Sequence, residues 1–210
     1  GSRGRMAIRF SCCASQFTVF MKKSRLPCTP STPFEAKSES PMVTRRDSGL
    51  GGSWPAGVSG FGSAGERCMA ISALVAVGDI ADELVDKIAE RTTTLKVGDG
   101  TRDSDMGPLV TKAHRDRVSS YIDAGEADGA TIVVDGRGSA VDGDETGFWL
   151  GPTLIDHVTT EMSVYTDEIF GPVLSVIRVE TYDEALELIN SGPFGNGTAI
   201  FTNDGGAARR

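Results

Sequence analysis

Several absences narrow this 210-residue chain before any motif is considered. Its four cysteines stand at positions 12, 13, 28 and 68. Two are adjacent and none has a partner at Cys-x-x-Cys spacing, so neither a disulfide framework nor a zinc ligand set is expected. The two histidines, His114 and His157, lie far apart and offer no paired metal ligands. No apolar run is long enough to cross a bilayer, so no membrane partner is expected. A reducing compartment fits these features: cytoplasm, or the mitochondrial matrix in a eukaryote. The stretch ahead of Cys68 reads as lacking a Gly-x-Gly-x-x-Gly unit or an equivalent strand–helix–strand nucleotide site. Basic charge is scarce where it would matter for nucleic acid. Residues 59–210 carry 12 of the 21 Lys and Arg but 26 of the 29 Asp and Glu. A body with that excess of acid is a poor match for phosphate, so nucleic acid is excluded as a partner.

What is present divides the chain in two. Residues 1–58 hold nine basic and three acidic groups, with Ser, Gly and Pro scattered between them and no sustained period. Gly1–Ser2 reads as a cloning remnant, and the rest of the segment is expected to be atypical and disordered. From residue 59 the patterning sharpens. Ala73–Val77 is a short apolar run that suits a buried strand, and Val173–Val179 is another, rich in β-branched residues. Ile80, Leu84, Val85 and Ile88 recur at helical spacing behind Asp79, an expected N-cap. A second helix is expected from Thr111, with His114, Val118, Tyr121 and Ile122 on one side. On that face His114 reads as a packed or half-exposed residue. Thr131–Val134 and Thr198–Thr202 read as strands, and Thr181–Glu184 has the spacing of a capping box. Strands alternating with helices predict an α/β fold, a mostly parallel sheet flanked by helices.

The chemistry-bearing stretch is Phe61–Ile71, Phe-Gly-Ser-Ala-Gly-Glu-Arg-Cys-Met-Ala-Ile. Gly62 and Gly65 let the backbone approach another segment closely. Arg67 sets a fixed positive charge beside Cys68, which favours thiolate and hence nucleophilic attack on carbonyl carbon. Taken alone, the same residues fit a buried structural thiol, the commoner state of an unpaired cysteine.

Phe61-x-x-x-Gly65-x-x-Cys68 resembles the cysteine signature of the aldehyde dehydrogenase superfamily, and Gly65–Ala70 resembles the coenzyme-A-acylating branch within it. Glu168-Ile-Phe170-Gly-Pro172 resembles that family's Glu-x-Phe-Gly-Pro motif, and Ile189–Thr198 resembles a further branch segment in which Asn190 and Asn196 fix turns. The resemblance implies an aldehyde-dehydrogenase-like catalytic domain over residues 59–210, incomplete at both ends. It implies an oxidoreductase that takes malonate or methylmalonate semialdehyde to an acyl-CoA, in valine and pyrimidine breakdown. Cys68 would be the nucleophile and Arg67 the carboxylate anchor. Glu168 and Phe170 would meet NAD, coenzyme A would be co-substrate, and the family's members are expected to form homo-oligomers. Two other outcomes stay open: a hydrolytic relative in which water takes the acyl group, and a fold fragment without catalysis. The chain by itself is expected to bind NAD poorly and not to turn over.

Overall fold

The apolar run behind Cys68 becomes a strand buried along almost all of its length, which requires cover on both faces. The computed structural model describes residues 60–139, 141, 146–192, 194, 197–202, 204 and 206–209, and the backbone alone of 16–21. Its strands and helices, in chain order, are β1 (Gln16–Met21), β2 (Ile71–Val77), α1 (Ala81–Thr92), α2 (Lys112–Ala127), β3 (Thr131–Val134), β4 (Thr153–Asp156), α3 (Ser163–Thr166), β5 (Val173–Val179), α4 (Tyr182–Ser191) and β6 (Gly197–Thr202). The six strands form one sheet in the order β3-β4-β5-β2-β1-β6. Every neighbouring pair is parallel except β3–β4. The α/β expectation with a mostly parallel sheet therefore holds.

Local sequence explains most of these elements. Leu84, Val85 and Ile88 of α1 are buried, as their spacing demands, and each contributes about 1.5–3 kcal/mol. Thr111 caps α2, its hydroxyl accepting the His114 N–H at 3.1 Å. At α4 the capping box is complete, with the Thr181 side chain on the Glu184 N–H and the Glu184 side chain on the Thr181 N–H. The only polar side chain within the buried part of β5 is Ser175, and its hydroxyl donates to the Val164 carbonyl at 3.1 Å, so its burial carries little penalty. Phe148 and Trp149 pack against the core, partly buried.

Three expectations need correction or placement. Asp79 does not cap α1: a 3-10 turn, Gly78–Ile80, contains it, and Ile80 at the cap position makes no side-chain cap bond. Asn190 is exposed at the end of α4, whereas Asn196 lies outside the described residues. The segment 1–58, expected to be disordered, supplies β1; its other residues lie outside those described. The sequence Gln-Phe-Thr-Val-Phe-Met is β-branched and aromatic, and it pairs in parallel with β2 on one side and β6 on the other. An interior strand so bonded should hold its amides. We expect hydrogen exchange in residues 17–21 at least about a hundredfold slower than in an open chain, as seen by peptide mass spectrometry. Open-chain rates there would remove β1 from the sheet.

Candidate active site

Two loops meet at one end of the central strands, and glycines decide how closely. The first loop leads into β2. Phe61, 2% exposed, anchors it in the core. Ser63 and Ala64 then both take φ 54°, and Gly65 takes φ 71°. A left-handed conformation costs a residue with a Cβ about 1–2 kcal/mol, so this turn is held by its surroundings rather than by preference. A tight turn follows in which the Ala70 N–H donates to the Arg67 carbonyl at 2.9 Å. Cys68 and Met69 are its two central residues, and both are exposed. The alternative of a buried structural thiol does not describe Cys68.

The second loop runs from α3 to β5 and carries Glu168 and Phe170. Gly65 lies directly on it: a Cβ at Gly65 would stand 2.0 Å from the Gly171 carbonyl oxygen. Gly171 in turn lies on α2, where a Cβ would meet both Val118 methyls at 2.7 Å. Gly62 is covered by the Arg67 guanidinium, whose Nη2 lies 3.2 Å from where a Cβ would stand. Both motif glycines are thus contact surfaces for backbone or guanidinium. Gly60, Gly62 and Gly65 also have Gly-x-Gly-x-x-Gly spacing, a string missed in reading the sequence. The stretch leads into β2 and not into a helix, so it lacks the context that makes that spacing a dinucleotide fingerprint.

Helix α2 holds the second loop by its main chain. Arg117 Nη2 donates to the carbonyls of Glu168 at 3.3 Å and Ile169 at 3.1 Å. His114 Nε2 lies 2.7 Å from the Phe170 carbonyl. The Tyr121 hydroxyl donates to Asp167 Oδ2 at 2.9 Å, and the Arg117 guanidinium sits 5.7 Å from the centre of the Tyr121 ring. Burial first, then the bond to Asp167, pushes the Tyr121 pKa up, so the hydroxyl remains a donor at neutral pH. Phe170 itself takes φ 55°, an outlier for a bulky residue, and the residue is 38% exposed.

Of the four residues singled out in the sequence, Arg67, Glu168 and Phe170 line one cleft together with Gly65. Cys68 follows Arg67 on the exposed turn beside it. On their other side Glu168 and Phe170 face an open groove of about 620 Å³ bounded by His114, Arg117 and Tyr121. Sequence reading placed His114 on the packed side of α2 but not against this loop. Nothing in a 3.6-residue period distinguishes a histidine that holds a carbonyl from one that fills space. Among the described residues no group of three His, Cys, Asp or Glu could hold a metal ion, and no helix is long and apolar enough to cross a membrane.

A mostly parallel α/β sheet thus has a cysteine turn leading into its central strand, and that turn's loop packs glycine to glycine on the Glu168–Pro172 loop. The aldehyde dehydrogenase family pattern matches residues 55–210, and the chain belongs to that family. Among curated relatives, malonate-semialdehyde dehydrogenase of Pseudomonas aeruginosa is 57% identical over 151 residues, 71% of this chain and 30% of that protein. Malonate-semialdehyde dehydrogenase 2 of Geobacillus kaustophilus is 53% identical over 151 residues, 71% of this chain and 31% of its own. A crystal structure of a putative methylmalonate-semialdehyde dehydrogenase from Sinorhizobium meliloti, complexed with NAD, superposes with TM-score 0.76 at 40% identity, over 95% of this chain and 36% of that one. This chain therefore spans about a third of the length of these relatives.

Proposed function

We propose that this chain carries the acyl-transfer half of an NAD-dependent, coenzyme-A-acylating oxidation of malonate or methylmalonate semialdehyde. The observation that carries the reading is an exposed thiol, Cys68, on a turn adjoining a cleft shared by Arg67, Glu168 and Phe170. Relatives named for malonate semialdehyde and a neighbour solved with NAD support the substrate and the cofactor.

The roles follow from position and chemistry. The Cys68 thiol gives its proton to solvent, and its sulfur bonds to the aldehyde carbon. The carbonyl oxygen turns negative, and the Cys68 N–H is the donor assigned to it. Arg67 binds the carboxylate at the other end of the small substrate, a charge-assisted contact. Glu168 is half-buried at the cleft and suits an acceptor for ribose hydroxyls, and the exposed face of Phe170 suits a flat nicotinamide ring. NAD, when bound, would supply the acceptor for the hydride that the Cys68 adduct must lose to become a thioester. The sulfur of coenzyme A then bonds to the acyl carbon as the Cys68 sulfur leaves.

An ester assay tests the acyl half without the cofactor. The chain is mixed with the mono-p-nitrophenyl ester of malonic acid; the Cys68 sulfur displaces nitrophenolate, and peptide mass spectrometry locates the acyl group. We expect acylation of Cys68 well ahead of Cys12, Cys13 and Cys28, and release of the acyl group to coenzyme A faster than to water. Arg67→Ala should lower the preference for this ester over p-nitrophenyl acetate by about tenfold, the effect of losing one charge-assisted bond. Labelling spread evenly over the four cysteines would refute the site. Release to water alone would assign the hydrolytic branch instead.

A further inference from the structure

We propose that His114 is a positioning residue that clasps the Cys68 loop to the Glu168–Phe170 loop, fixing the nucleophile's turn against the surface meant for the cofactor. The proposal rests on the reading of those two loops as one reacting site. Three consecutive carbonyls, of Glu168, Ile169 and Phe170, are each met by a side chain of α2. The last is the critical one, because Phe170 is the residue in the left-handed conformation. A bulky residue stays there only where its neighbours over-determine it, and His114 holds the carbonyl of that residue.

The same ring nitrogen reaches the other loop. His114 Nε2 lies 3.5 Å from Glu66 Oε1, and the two side chains are only 19% and 13% exposed. Glu66 Oε1 also accepts the Val110 N–H at 3.4 Å, just before the Thr111 cap of α2. Glu66 is two residues before Cys68, and Phe170 is two residues after Glu168. The bond to a carbonyl requires a hydrogen on Nε2, so the neutral ring serves as the Nε2–H tautomer. Other charged or titratable groups near the ring are Asp167 and Glu168 from the second loop and Arg117 and Tyr121 from α2, which border the same groove. Lys112 and Arg115 on α2 both pair with Asp116.

Hydrogen exchange of the whole 210-residue chain tests the clasp, comparing wild type with His114→Ala and His114→Gln at pH 8. Rates are corrected for the intrinsic chemistry of each amide. His114→Ala should speed exchange about tenfold in residues 63–70 and 167–171 and leave β5 and α1 unchanged. His114→Gln, which keeps an N–H of similar reach, should restore most of the protection at pH 8. Wild-type protection in the alanine variant would overturn the proposal. So would a uniform rise across all segments that glutamine does not reverse. The ester assay of Cys68 reports separately, so failure of the enzymatic reading and failure of the clasp give different results.

Discussion

Gly65→Ala is expected to destabilise the chain by about 3–4 kcal/mol, combining severe overpacking with the left-handed conformation imposed on a residue with a Cβ. For a chain of this size that corresponds to a fall in melting temperature of about 10 °C. The added methyl would stand 2.0 Å from the Gly171 carbonyl oxygen, and that oxygen belongs to backbone, not to a side chain that could swing away. Relief by moving the second loop is blocked in turn, because Gly171 is itself seated on the Val118 side chain of α2. Gly100→Ala is the control. No atom lies within 4 Å of the position its Cβ would take, and the change should fall within about 0.5 kcal/mol. Urea unfolding of the two variants measures the difference. A Gly65→Ala cost no larger than that of Gly100→Ala would mean that the two loops are not packed as described. The damage should also be functional, because separating the loops removes the cleft shared by Arg67 and Glu168, and selective acylation of Cys68 should go with it.

This contact shows where sequence reading reached and where it stopped. Features carried by neighbours in the chain were legible: the buried runs of β2 and β5, the Thr111 cap, and the reciprocal bonds of Thr181 and Glu184. The site motifs were legible as residue types, and Gly65 could be assigned to a close approach. Its partner could not, because Gly171 is more than a hundred residues away and no local pattern encodes that pairing. Asp79 shows a local rule losing to geometry, since the chain leaves β2 through a 3-10 turn that absorbs the expected cap. β1 shows the opposite case. A six-residue β-rich string in a stretch without period has little weight until two neighbouring strands leave a place between them. His114 was assigned by period to a helix face; the carbonyl its ring meets belongs to Phe170, 56 residues away, and no helical period encodes that contact.

An ion pair bridges two neighbouring strands of the sheet beneath the site, and removing half of it should cost nearly as much as the Gly65 change. Asp156 ends β4 with its side chain only 4% exposed, and Arg178 on the neighbouring β5 meets it with two bonds, Nε to Oδ1 at 3.1 Å and Nη2 to Oδ2 at 2.6 Å. Arg178→Met leaves that carboxylate buried with the His157 N–H, at 2.7 Å, as its nearest remaining donor. Stranding a buried charge in this way costs about 3–5 kcal/mol, and the retained amide bond places the expected loss near the lower figure, about 3 kcal/mol. Arg178 also reaches Asp82, but that side chain is 86% exposed. Water screens such a pair, so Asp82→Ala should cost less than about 1 kcal/mol. The double variant Asp156→Leu, Arg178→Met separates the worth of the pair from the penalty of breaking it. With both charges gone and apolar volume in their place, most of the loss should be recovered. Urea unfolding of the four proteins decides the matter. If Arg178→Met unfolds no more readily than Asp82→Ala, the bidentate pair adds nothing to the backbone ladder that joins β4 to β5. If the double variant is as unstable as the single one, the loss comes from packing around the arginine stem rather than from an uncompensated carboxylate.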